Sequence, residues 1–162
     1  MHGPRTGAVV WSKRLQNGML TPSPFVAADT VYIAGDASNV YAVNRSTGAL
    51  RWTTKIESTP SNRIWSSPIV VGDTLIIGAG SYQVFNPATP TFRGSIVGLG
   101  ASDGKEKWRF AVCPDPECWG GVSLWSSVAV DPALKLAYIG TGQAYYAEYA
   151  AASSSQVAMR GA

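Results

Sequence analysis

Histidine is almost missing from this sequence, and cysteine and charge are scarce. The one histidine, His2, sits at the terminus, and a single terminal imidazole without a partner excludes a Ser-His-Asp system. Two cysteines, Cys113 and Cys118, are too few for a four-cysteine zinc site. They also do not form the Cys-x-x-Cys-His run that attaches a c-type haem. Charged residues make up only 14% of the chain, and the net charge of +3 comes from scattered Lys and Arg. With no basic run, no nucleic-acid surface is expected. No stretch of about 18 apolar residues occurs, so no membrane span is expected either. Met1 to Val10 lacks the apolar core of a signal peptide. Gly78-Ala79-Gly80 does not open a helical pattern and is a poor phosphate or dinucleotide loop.

The chain is rich in other things. Six Trp, seven Tyr, 17 Gly and ten Pro stand in 162 residues, 46% of them hydrophobic. Aromatics favour half-buried pleated surfaces, and frequent Gly and Pro punctuate short strands. The composition is that of an all-β protein with enough apolar matter for a core.

Three phrases recur in one fixed order. The first ends in tryptophan: Thr6-Gly7-Ala8-Val9-Val10-Trp11, Thr47-Gly48-Ala49-Leu50-Arg51-Trp52 and Asp103-Gly104-Lys105-Glu106-Lys107-Trp108. The second comprises Ser23-Pro24-Phe25-Val26, Ser67-Pro68-Ile69-Val70 and a degenerate Ser127-Val128-Ala129-Val130. The third comprises Asp29-Thr30-Val31-Tyr32-Ile33-Ala34-Gly35, Asp73-Thr74-Leu75-Ile76-Ile77-Gly78 and Leu136-Ala137-Tyr138-Ile139-Gly140. Trp11 and Trp52 lie 41 positions apart, within the roughly 40–45 of a four-stranded propeller blade. Trp52 and Trp108 are 56 apart. Most of the excess lies in the polar, proline-bearing stretch between Gly80 and Ser95, which reads as a loop.

The expected fold is therefore a partial β-propeller of four-stranded antiparallel blades, about three repeats over residues 1–146. Ala28-Asp29 and Gly72-Asp73 suit tight hairpin turns, and Gly48 supplies the positive φ that closes a bulged hairpin. Val40, Ala42 and Asn44 alternate against Asn39, Tyr41 and Val43 with strand periodicity. The Trp that ends each repeat falls on the outermost strand, where its ring can lock one blade onto the next. The chain reads as opening on the last strand of one blade and stopping two strands into another. Residues 147–162 read as a low-complexity tail, disordered or non-native, so the sequence as a whole reads as a fragment. Open blade faces would make such a chain prone to self-association.

Two stretches carry a resemblance. Phe92-Arg93-Gly94-Ser95-Ile96-Val97-Gly98-Leu99, followed by Asp103-Gly104-Lys105-Glu106-Lys107-Trp108, resembles the PQQ-dependent (quinoprotein) alcohol dehydrogenases. So does Gly120-Gly121-Val122-Ser123-Leu124-Trp125-Ser126-Ser127-Val128-Ala129-Val130-Asp131-Pro132, continuing to Tyr138-Ile139-Gly140-Thr141-Gly142-Gln143. The polyvinyl-alcohol dehydrogenases look most similar, through the Trp-Ser-Ser and Gly-Thr-Gly-Gln stretches.

The resemblance implies PQQ as cofactor, with Ca²⁺ beside it, an alcohol as substrate and an electron acceptor such as a cytochrome c. It also implies a periplasmic setting. Trp125 matches the tryptophan on which the flat quinone lies, a role that suits an indole; its other reading is a packing residue, like Trp65 in the similar Ile64-Trp65-Ser66-Ser67-Pro68. Arg93 matches an arginine near the cofactor's carboxylates, its other reading being a surface loop residue. Gln143 stands where the family often places a Ca²⁺-ligating Asn, and it is one methylene longer. The family's metal-binding Glu has no clear counterpart. Its catalytic Asp would lie beyond this chain, so no catalytic residue is assigned and the chain alone is read as inactive. Cys113 and Cys118 read either as a disulfide stapling a proline-rich loop, as an oxidising compartment would permit, or as free thiols. The competing function is a non-catalytic propeller scaffold for protein interaction, similar to outer-membrane assembly lipoproteins, because fold does not fix function.

Overall fold

The structure is a computed structural model that describes residues 6–15, 20–58, 62–81, 93–112, 118–142 and 144–146. The first complete blade is an antiparallel meander of four strands: β1 (Phe25–Ala27), β2 (Thr30–Ala34), β3 (Asn39–Asn44) and β4 (Leu50–Lys55). Its turns follow the chemistry of their residues. Ala27 pairs with Thr30 across Ala28-Asp29, and Ala28 adopts φ 48°. Between β3 and β4, Gly48 (φ 70°) returns its N–H to the Asn44 carbonyl at 2.8 Å. The Asn44 side-chain oxygen accepts from the N–H groups of Ser46 and Thr47 at 2.9 and 3.0 Å. The register slips between Ala42 and Val43, giving the expected bulge.

The second blade repeats this plan with an interrupted inner strand. β5 (Asn62–Arg63) and β6 (Ile69–Val71) pair with the two ends of β7 (Thr74–Ser81), followed by β8 (Ser95–Gly100) and β9 (Glu106–Ala111). Gly104 (φ 71°) closes the β8–β9 turn just as Gly48 closes the earlier one. A third unit starts the same way. β10 (Cys118–Gly121) pairs with β13 (Ala144–Tyr146), and β11 (Ala129–Asp131) pairs with β12 (Leu136–Tyr138). The long insert after Gly80 and the tail from residue 147 fall largely outside the described residues.

The blades stack face to face, which changes the burial of the middle strands. On β3 the residues Val40 to Val43 are all buried, so the alternation in the sequence does not become an inside and an outside face. One core joins Tyr32, Val40, Ala42 and Trp52 of the first blade to Leu75, Ile77, Val97 and Leu99 of the second.

The terminal tryptophans make the junctions. The Trp11 Nε1–H donates to the Arg45 carbonyl at 2.8 Å, and its ring leaves no room for a Cβ at Gly48. One blade on, the Trp52 Nε1–H donates to the Ala101 carbonyl at 3.1 Å, and its ring lies against Gly104. Arg45 and Ala101 each stand three positions before the glycine in its turn. The lock expected of these residues is thus built twice. Trp108 lies over Gly98 of its own sheet and is 40% exposed, whereas Trp52 is 9% exposed.

Candidate functional site

The site grows out of the break in the inner strand. Between β5 and β6 the chain leaves the sheet as Ile64-Trp65-Ser66-Ser67-Pro68, and between β10 and β11 as Leu124-Trp125-Ser126-Ser127-Val128. Each excursion is pinned by its first serine. The buried Ser66 hydroxyl donates to the Gly78 carbonyl and accepts from the Gly78 N–H, both at 2.9 Å. The Ser126 hydroxyl makes the same pair of bonds to Gly140, at 3.4 and 3.1 Å. The second serine joins neighbouring excursions: the Ser23 N–H donates to Ser67 Oγ at 2.9 Å, and the Ser67 N–H to Ser127 Oγ at 3.4 Å.

Ile64 and Leu124 are fully buried, so the tryptophans that follow them are directed away from the core. Their rings meet. Trp65 and Trp125 stack with centroids 4.1 Å apart and planes 5° from parallel. Trp125 remains 40% exposed. One face lies against Trp65, and the rest of the indole carries that exposure beside Gly142, where a Cβ would come within 3.0 Å of Nε1. The packing role of Trp125 is thus built by the stack on Trp65, and the indole keeps part of its surface exposed.

Arg93 is exposed and reaches the same region through its backbone. It forms a parallel bridge with Gly121, and the Gly94 N–H donates to the Gly121 carbonyl at 2.9 Å. A Cβ on Gly94 would fall 1.8 Å from the Val122 carbonyl oxygen, so only glycine allows the approach. Opposite it, Val122 is held at φ 50°, a conformation that a β-branched residue rarely takes. Strain of this kind gathers where a segment must hold a set shape. Here it precedes Trp125 by three residues.

Gln143 and Cys113 lie outside the described residues, and Cys118 enters only through the backbone of β10. Among the described residues no group of three or more His, Cys, Asp or Glu side chains could hold a metal ion. No helix among them is long and apolar enough to cross a membrane. The residue that sequence reasoning undervalued is Trp65. Its signal was present in the matching Trp-Ser-Ser of two repeats, but only the juxtaposition of blades shows that the two rings touch.

Interrupted inner strands, glycine-closed outer hairpins and tryptophan junctions define a β-propeller repeat protein of the quinoprotein type. The PQQ_2 family model, described as outer membrane protein assembly factor BamB, matches residues 2–159, and the chain belongs to that family. It is 30% identical to the quinohemoprotein alcohol dehydrogenase ADH-IIG of Pseudomonas putida over 69% of this chain and 18% of that protein. It is 25% identical to the polyvinylalcohol dehydrogenase of Sphingopyxis sp. (strain 113P3) over 87% of this chain and 25% of that protein. Its fold superposes on the quinohemoprotein alcohol dehydrogenase of Comamonas testosteroni with a TM-score of 0.72 at 24% identity, over 86% of this chain and 25% of the other. The chain thus spans about a quarter or less of the length of these relatives.

Proposed function

We propose that this chain forms part of the quinone-binding wall of a PQQ-dependent alcohol dehydrogenase propeller. The observation that carries the reading is the Trp125 indole, braced on one face by Trp65 and 40% exposed. A flat aromatic system stacks well on such a surface. Trp125 would hold the plane of the cofactor. Arg93, exposed and tied through its backbone to Gly121, would offer its guanidinium to a carboxylate, for which the planar fork is suited. When bound, the quinone supplies the two-electron acceptor for oxidation of an alcohol. The described residues offer Ca²⁺ no carboxylate set, so no step is assigned to that ion. A periplasmic setting and an electron acceptor such as a cytochrome c belong to the same reading.

Equilibrium dialysis with PQQ tests it. The wild-type chain is expected to bind saturably and Trp125→Ala to lose that binding, whereas equal binding by both would remove Trp125 from the site.

A second reading, a non-catalytic scaffold, is favoured by one feature. Trp108 (40% exposed) and Phe110 (58%) stand two apart on β9 and so share a face of the sheet, an apolar surface of the kind that partners cover. A chain of this type would fail to bind PQQ at all.

A further inference from the structure

The geometry points to Trp65 as a positioning residue that fixes the orientation of the Trp125 indole for a planar ligand. This rests on the reading of Trp125 as the quinone platform and adds a second residue to it.

The three repeats supply an internal comparison. Trp65 and Trp125 occupy equivalent places, and Thr21 stands at that place in the preceding repeat. Two residues beyond Gly78, Gly140 and Ala34, the matching positions are Gly80, Gly142 and Asp36. The two tryptophans therefore go with glycine, and the threonine does not. The reason is spatial. A Cβ at Gly80 would come within 2.8 Å of Trp65 Cε3, and one at Gly142 within 3.0 Å of Trp125 Nε1. Each glycine clears the space in which an indole lies.

Both rings are then anchored from behind. Trp65 is flanked by the fully buried Ile64 and by Ser66, and Trp125 follows the fully buried Leu124. The Leu124 N–H donates across to the Ala79 carbonyl of β7 at 3.3 Å, so the second excursion is tied to the strand that pins the first. With Trp65 parallel at 4.1 Å, rotation of Trp125 would break the stack. A ligand thus meets a ring already ordered and does not have to order it. The stack also allows only one side of Trp125 to take a planar ligand.

The test uses Trp65→Leu, Trp65→Phe, Gly80→Ala and Trp125→Ala, each first checked for a native β-sheet circular dichroism spectrum and cooperative melting. PQQ affinity is measured by equilibrium dialysis, and the indole–indole couplet by far-ultraviolet circular dichroism without ligand. Removal of the brace by Trp65→Leu is expected to weaken PQQ binding on the order of tenfold, the cost of immobilising one side chain, and to remove the couplet. Trp65→Phe is expected to restore most of the affinity without the couplet, because a flat ring again supports Trp125. Gly80→Ala displaces the Trp65 ring and is expected to weaken both signals, which keeps the test open if Trp65→Leu does not fold. Wild-type affinity in a folded Trp65→Leu or Gly80→Ala chain, with binding lost in Trp125→Ala, would overturn the positioning role and leave the platform standing. No binding by the wild-type chain, or undiminished binding by Trp125→Ala, would overturn the platform itself and this inference with it.

Discussion

A tryptophan that donates its indole N–H across a blade junction does two things at once, filling a gap and satisfying a backbone carbonyl. Trp52 shows both: its Nε1–H donates to Ala101, its ring tilts against Tyr32 at 6.0 Å, and the Tyr32 hydroxyl donates to the same carbonyl at 3.0 Å. Trp52→Ala should cost about 3–5 kcal/mol, as large aromatic truncations in cores do, read as a fall in the urea midpoint. Trp52→Phe should cost less, since it keeps most of the buried area and loses the hydrogen bond. An effect of Trp52→Ala no larger than that of an exposed Trp108→Ala would contradict the lock. Ala28 presents the opposite case. Its φ of 48° places a Cβ in the left-handed region, so Ala28→Gly should stabilise the chain by about 0.5–1 kcal/mol, seen as a higher melting temperature.

The elements carry a repeated electrostatic tie between the first turn of a blade and its outer strand. Arg51 on β4 pairs with Asp29, and Lys107 on β9 pairs with Asp73 at 2.8 Å. The cations one residue before Trp52 and Trp108 therefore each hold the hairpin that starts their own blade. Hydrogen bonds from Arg51 and from Lys107 are the first cause holding the two carboxyls below the ordinary carboxylate value of 3.8. A depressed folded value means the contribution is complete above the unfolded value and is lost as pH falls through the folded one. Melting temperature should therefore drop more steeply below about pH 4 in the wild type than in an Asp29→Asn, Asp73→Asn double variant. Both pairs are exposed, so added salt should shrink the difference. Identical acid limbs in the two proteins would show that the ties contribute nothing.

At this scale much of the fold was legible in the sequence. Gly48, Gly104 and the Asp-Thr turns act through local backbone chemistry, so their positions follow from neighbours in the chain. The Trp phrases placed the blades because each lock joins fixed points of a repeated unit. Trp65 was harder to read, since its stacking on Trp125 depends on how two blades face each other and no local pattern encodes that distance. The double-sided burial of Val40 to Val43 escaped the alternation rule for the same reason. Arg93 was legible as a motif residue, but its link to Gly121 rests on a close approach that only the folded chain shows.

In the molecule as a whole, the described blades form a stack whose junctions are satisfied at Trp11 and Trp52, while the β9 face bearing Trp108 and Phe110 is open. An apolar sheet face of this kind favours association. Light scattering should show concentration-dependent oligomers that Trp108→Ser with Phe110→Ser reduces, and a wild-type monomer at every concentration would contradict that expectation. The proposed quinone platform is a different surface, the exposed part of Trp125, and the chain contains its own control because Trp108 is equally exposed at 40%. The most direct measurement is oxidative footprinting of tryptophans with and without PQQ, mapped by mass spectrometry. A platform role for Trp125 predicts that PQQ protects it and leaves Trp108 as reactive as before. Equal reactivity of Trp125 in both conditions, or protection of Trp108 instead, would contradict it.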